Sequence, residues 1–313
     1  MASKAQSGMN EFLDGEEKVL LHQLWRQTNL SDRVYGLWFL GLTLALLAAP
    51  VRLPHWTSFL LLNLIIIETI TLTAWRADHS RAWRITHDWY PMLLLIVAFE
   101  EIARLSLAFV SQWQDGVILR QEERIFVVPP TEWLAQFRHP LISEFLEFGY
   151  FSFYWMLPVV GIVLYAQGWK KDAPGQRPFR LWMDALAIGY VICFTFYLLF
   201  PTEGPAHTLG RPTSIVISGP FRWLVLLIQR YGGVHGNAFP SGHIMAAAIS
   251  LFAALKWAPR LGRWLIVPFA LMCIGAVYDA YHYASDAVAG ALLGLIAFAI
   301  AVKLLGGGSH GVN

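Results

Sequence analysis

The chain has 313 residues, of which 56% are hydrophobic and 14% charged, with a formal net charge of +2. Soluble domains carry about 25% charged and about 45–50% apolar residues, so this composition excludes an ordinary soluble globule and predicts an integral membrane protein. The near-neutral balance points to no nucleic-acid partner. The 14 Trp and 11 Tyr suit the headgroup belts of a bilayer. Cys193 and Cys273 both lie inside apolar runs and read as packing residues, not as a disulfide or metal pair.

Residues 1–33 are polar and mixed in charge, without a clean apolar core, so no signal peptide is expected there. Within them, 10–27 place Phe12, Leu13, Leu20 and Leu24 at roughly helical spacing, which predicts a short helix at the membrane interface. A spanning helix needs about 20 mostly apolar residues. Runs of that kind occur at 34–51, 57–75, 91–112, 147–167, 181–200, 240–258, 264–283 and 285–305. The predicted fold is an all-α polytopic membrane helix bundle of about eight spans. It divides into a cytoplasmic or interfacial segment (1–33), N-terminal membrane helices with an external loop (34–168), a C-terminal membrane domain (169–305) and a flexible tail (306–313). The last two spans nearly touch, so a tight turn must join them. No internal repeat is evident, which weighs against an inverted-repeat transporter.

Basic residues between spans tend to stay cytoplasmic. Arg76, Arg81 and Arg84, then Lys170, Lys171, Arg177 and Arg180, then Lys256, Arg260 and Arg263 occupy three alternate loops. An eight-span count puts these loops and both termini in the cytoplasm. The loop before 240 and the turn near 282 then share the opposite face. The 113–146 loop is external too, with an interfacial helix expected at 131–146. Residues 218–231 are apolar but too short to span, and re-enter or lie flat, with Arg222 and Arg230 at their ends. Glu100, Glu101 and Arg104 sit inside the third run, where charge is expensive and faces a bundle interior or water. Glu100 and Arg104 can pair four apart, either locking helices together or leaving Arg104 to bind a substrate headgroup.

Two polar clusters share the non-cytoplasmic face. The first is Phe239-Pro240-Ser241-Gly242-His243, a loop tipping into a helix start, where free amide hydrogens favour an anion. The second is Asp279-Ala-Tyr-His282-Tyr-Ala-Ser-Asp286. Phosphoester cleavage needs a nucleophile, a proton for the leaving oxygen and positive charge around phosphorus. His282 can attack, with Asp286 four residues on holding its other nitrogen, and His243 can be the proton donor. Ser241, the amides of Gly242 and His243, and an arginine can hold the phosphate.

Pro240-Ser-Gly-His243 followed by His282-x3-Asp286 resembles the type 2 phosphatidic acid phosphatase and vanadium haloperoxidase superfamily over roughly 180–305. The resemblance implies a six-helix core, a phosphohistidine on His282 oriented by Asp286, and His243 as acid and then base. It also implies a phosphate site of Pro240, Ser241, Gly242 and an arginine, with no metal or cofactor. The family's third motif begins Ser-Arg, which here is Gly275-Ala276. Its first motif, Lys-x6-Arg-Pro, occurs literally at Lys170–Pro178, but span five separates that stretch from the site. Arg211-Pro212 lies on the correct face, with Gly204 where the lysine would stand and with His207 and Glu203 as neighbours. Arg104, Arg222 or Arg230 can supply the missing charge. These departures look more like the inositol phosphorylceramide synthase branch, whose members pass a headgroup phosphate to a lipid alcohol.

The expected activity is therefore cleavage of a lipid phosphoester outside the cytoplasm, with a lipid phosphate or phospholipid as substrate. The alternatives are headgroup transfer to a lipid alcohol and a non-catalytic scaffold or transporter. An intramembrane serine protease is disfavoured because Phe239, not glycine, sits two before Ser241. A cytidine-diphosphate-alcohol phosphotransferase would need a run of aspartates that is missing. Asp279, His282 and Asp286 share one face, which offers a divalent-ion set as a minor alternative to the motif reading.

Overall fold

A computed structural model describes residues 27–48, 55–169, 177–210, 219–233 and 235–306. The 10–27 helix, Lys170, Arg211 and the C-terminal tail beyond 306 lie outside the described residues. Among those described, all regular structure is helical. We number the helices α1 (Leu30–Ala48), α2 (Trp56–Arg76), α3 (Arg81–Leu105), α4 (Asp115–Phe126), α5 (Pro130–Ala135), α6 (Pro140–Phe151), α7 (Phe153–Trp169), α8 (Arg177–Leu199), α9 (Pro220–Gly232), α10 (Gly242–Trp257), α11 (Pro259–Tyr278) and α12 (Ala284–Gly306).

Six stretches are long and apolar enough to cross a bilayer: α1, α2, α6 continued into α7, α8, α11 and the apolar part of α12. The chain is a multi-pass membrane protein. Each of the eight predicted runs contains a helix. The two that miss the hydropathy and length criteria are α10, only 16 residues long, and α3, which carries internal charges. The lateral faces are apolar and exposed at Leu37, Leu93, Ile96, Ile162 and Trp264, as lipid contact requires.

The chain divides into two compact units, Met1–Leu94 and Leu95–Asn313. In the first, α1 packs along α2. The deeply buried carboxylate of Asp32 accepts hydrogen bonds from Tyr90 and from His87 at 2.8 Å. A carboxylate removed from water needs such partners.

In the second unit α10 is the central helix, touching α7, α8, α11 and α12. Its Ala246, Ala247 and Ala248 are fully buried. Helices in lipid gain little from apolar burial against one another, so they associate through close packing of small residues. Helix α12 supplies Gly290 and Gly294, one turn apart. A Cβ on Gly290 would sit 2.5 Å from the Ser241 carbonyl oxygen, and one on Gly294 2.6 Å from that of Met245. Gly189 on α8 makes the same kind of approach to Met245, and the Trp182 indole donates to Ser250 at 3.1 Å.

Two expectations are corrected. The 113–146 segment is not an open loop: it contains α4, whose Asp115, Ile118 and Glu122 are buried. The single helix at 131–146 is instead α5, a turn, and the start of α6. Pro140 is the cause, since proline disfavours the helical region for the residue before it, and His139 is extended at φ −140°, ψ 138°. From Pro140 the chain runs directly into a membrane-length helix, which packs on α11.

Candidate active site

The turn between α11 and α12 occupies Asp279–Tyr283, outside both helices. Ala276 closes it, its carbonyl accepting from the amides of Tyr281 and His282 at 2.9 Å each. Ala280 takes the left-handed conformation that the reversal needs, at φ 58°. Asp286 begins α12 and turns back: its Oδ2 accepts from the Tyr283 amide at 2.9 Å. That carboxylate oxygen lies 3.5 Å from His282 Nδ1, a separation without hydrogen-bond geometry. Catalytic contacts are often long before substrate binds. Asp286 is fully buried, and its Oδ1 has no hydrogen-bond partner.

The Pro240–His243 loop is tied to this turn by its backbone, with the Ser241 amide donating to the Asp286 carbonyl at 3.1 Å. Ser241 caps α10, its hydroxyl accepting from the Ile244 amide at 3.3 Å. Tyr197 on α8 locks the loop from below. Its hydroxyl donates to the Pro240 carbonyl at 2.9 Å and accepts from the Gly242 amide at 3.1 Å. A Cβ at Gly242 would stand 2.7 Å from that hydroxyl, so glycine is what lets Tyr197 approach. Ser241 and the Gly242 amide, expected to hold phosphate, thus serve first to build the loop.

His243 projects into an aromatic cage of Phe99, Tyr150, Phe153 and Tyr154, with the Phe153 ring centroid 4.5 Å away. It is near enough to His282 for the two imidazoles to interact electrostatically. Burial pushes the His282 pKa down to about 4, opposed by a hydrogen bond to the Ala238 backbone. The ring is therefore neutral at neutral pH.

A second polar cluster adjoins the turn. Glu147 and Arg222, 75 residues apart, form a buried ion pair, and the Tyr281 hydroxyl donates to Glu147 at 2.8 Å. Tyr281 stacks on Tyr150 at 4.3 Å, which links this cluster to His243. Glu144 accepts from the first amides of α9 and so fixes Arg222 in place. Arg138 donates to the Tyr278 carbonyl at 3.1 Å. Asp279 is buried with neither carboxylate oxygen partnered. Burial, then the Glu147 charge, raises its pKa to about 8, against the pull of Arg222 and Arg138. On the other flank Glu122 accepts from the Ser285 amide and hydroxyl at 2.8 and 2.9 Å.

Of the residues expected at the site, Pro240, Ser241, Gly242, His243, His282 and Asp286 come together at one end of the second unit. His207 lies on a neighbouring one-turn π-helix (Ala206–Gly210), exposed, beside His235. Arg104 does not join them: it is 70% exposed and paired with Glu100 at 3.4 Å. Of the three arginines expected to supply the missing charge, Arg222 is the one whose guanidinium reaches the Asp279–Tyr283 turn, through the Tyr281 hydroxyl. Arg177 begins α8, whose far end packs at the Thr202–Phe239 contact. At about 1.5 Å per residue that places it about 33 Å from the loop. Among the described residues, Asp279, His282 and Asp286 do not gather into a metal-ligating set. Sequence reading missed Tyr197, Glu122 and Glu147; a carboxylate inside an apolar run, as at Glu147, was the available signal.

Gly275 and Ala276 stand where the resemblance leads one to expect Ser-Arg. A Cβ at Gly275 would lie 2.8 Å from the Leu146 carbonyl oxygen, so the close contact of α11 with α6 leaves no space for a side chain there, and Ala276 is wholly buried.

Residues 118–300 match the family described as the PAP2 superfamily. Over 193 residues the chain is 22% identical to a PA-phosphatase related-family protein of Dictyostelium discoideum, covering 56% of this chain and 34% of that relative. The chain thus spans about a third of the curated relative that it matches. No solved structure matches it.

Proposed function

The chain belongs to the PAP2 superfamily, and from that premise we propose that it cleaves a lipid phosphoester through a phosphohistidine on His282, at the non-cytoplasmic face. The observation that carries this reading is the backbone tie between Ser241 and Asp286, which brings His243 and the His282–Asp286 pair to one end of the bundle. Neutral His282 attacks phosphorus. The P–N bond forms as the bond to the lipid oxygen breaks, and His243, which must enter the step as imidazolium, gives that oxygen its proton and becomes neutral. Asp286 stabilises the imidazolium that results, as an aspartate does in a serine-hydrolase triad. Water then attacks the phosphohistidine, His243 takes its proton, and inorganic phosphate leaves. Arg222, together with Arg211, is the charge we assign to the phosphate oxygens.

Headgroup transfer is the second reading. What favours it is Asp279, three residues before His282 in the same turn and buried with two unpartnered oxygens, a contact suited to an acceptor hydroxyl. In that case a lipid alcohol replaces water in the second step.

Purified protein given radiolabelled phosphatidate, polyprenyl pyrophosphate or phosphoinositide, with and without diacylglycerol or ceramide, separates the readings. Free phosphate marks hydrolysis and a new phospholipid marks transfer. His282→Ala and His243→Ala are each expected to lower turnover by at least 1,000-fold, on the scale of losing one member of a concerted catalytic set. Unimpaired turnover by folded His282→Ala eliminates the phosphohistidine, and no product from any donor favours a non-catalytic scaffold.

A further inference from the structure

We propose that Glu203, His207 and His235 form a binding site for a divalent ion of the zinc class, at the rim of the catalytic turn. One ligand atom from each side chain lies within 4.8 Å of the other two. Two imidazoles and a carboxylate, with positions left open, are a donor set suited to zinc. Zinc at about 2.0–2.2 Å from each ligand atom sets them about 3.4 Å apart in a tetrahedral shell. Glu203 and His235, now in direct contact, would open slightly, and His207 would close in. Both histidines are exposed, so their rings can rotate.

The surroundings fix the backbone that carries Glu203 and His207. The amides of Glu203 and Gly204 both donate to the buried Asp115 carboxylate, at 2.9 and 2.8 Å. His207 is carried by the π-helix, its own amide bonded to the Gly204 carbonyl at 3.1 Å. Such π turns recur at functional sites. The His235 ring lies between the Trp113 ring at 5.3 Å and the His207 ring at 4.6 Å. A divalent ion would take one ring nitrogen from each imidazole, and Glu203 would balance part of its charge.

The rim abuts the chemistry. A Cβ at Gly204 would meet the Tyr281 carbonyl oxygen at 3.3 Å, and the Thr202 carbonyl accepts from the Ala238 amide at 3.3 Å. An ion here places positive charge next to Gly204, the position at which the family's lysine is missing. That consequence for turnover rests on the phosphoester reading above; the binding itself does not. The ion takes no part in forming the phosphohistidine.

The test is zinc content, measured by mass spectrometry on the full chain purified in detergent, stripped with chelator, reloaded with zinc and desalted. Wild type is expected to retain one zinc per chain, with His207→Ala and His235→Ala retaining none. The isosteric Glu203→Gln should bind at least tenfold more weakly. His282→Ala should keep its zinc while losing turnover, which separates a failure of the metal site from a failure of the phosphoester reading. Size-exclusion elution and thermal denaturation check that each variant is folded. Zinc in wild type no higher than in a folded triple variant, E203Q/H207A/H235A, overturns the proposal, as does zinc retained by that triple variant.

Discussion

His282 is the residue on which the proposed chemistry turns, and its protonation state follows from its position. The imidazole is almost wholly buried, and transferring its charged form out of water costs more than the Ala238 hydrogen bond returns. Its pKa falls to about 4. The folded state therefore binds this proton only below about pH 4, whereas the unfolded state binds it below about 6.5. Stability from this group is lost as pH falls from about 6.5 towards 4, and is fully present above that window. A nucleophile must be unprotonated, so the acid limb of kcat/KM should lie near pH 4 and not near 6.5. Single-turnover transfer of radiolabelled phosphate to the protein, followed from pH 3.5 to 8, measures it, with a soluble short-chain donor of constant charge. A limb at 6–7 would mean a solvated ring and contradict the buried geometry.

At the scale of elements, the site is held by how closely α12 approaches α10. Gly290 faces the Ser241 carbonyl, and Gly294, one turn on, faces that of Met245. Gly290→Ala adds a methyl group 2.5 Å from a backbone oxygen that cannot rotate away, so the Pro240–His243 loop must move. A shift approaching 1 Å at a catalytic loop costs about 100-fold in rate, and overpacking costs about 1–3 kcal/mol of stability. Gly290→Ala should therefore lose about 100-fold in turnover, whereas Gly294→Ala lowers Tm with a smaller loss of rate. Lipid phosphatase assays and thermal denaturation in detergent compare them; full activity in folded Gly290→Ala would show that the loop tolerates displacement. The apolar runs were legible because each membrane helix announces itself by length and hydropathy. Helices α4 and α5 were not: they are short, mixed in charge and placed between spans, where such composition reads as loop. His243, His282 and Asp286 were legible by motif and spacing. The Glu147–Arg222 pair was not, because no local pattern joins residues 75 apart. Pro140 carries the break that splits the 131–146 helix.

For the molecule as a whole, the remaining question is which way the second unit faces in the bilayer. The end away from the site carries Arg177 and Arg180 at the start of α8, and Lys256, Arg260 and Arg263 around the α10–α11 junction. At the site end, Arg222 is buried in an ion pair with Glu147, Arg138 is engaged by the Tyr278 carbonyl, and the exposed Arg120 and Arg124 share α4 with Asp115, Glu122 and Glu123. The orientation we propose, on the positive-inside rule, has the α10–α11 junction in the cytoplasm and the Asp279–Tyr283 turn opposite. Two surface positions report on this. Gln136 lies in the exposed turn before α6, at the end where Phe137 meets Tyr278, and Arg260 is exposed at the other end. Both native cysteines are first replaced by serine. Gln136→Cys should then react with a membrane-impermeant maleimide in intact cells, whereas Arg260→Cys should react only after permeabilisation. The opposite pattern would place the phosphoester chemistry in the cytoplasm and restrict its donors to lipids of the inner leaflet.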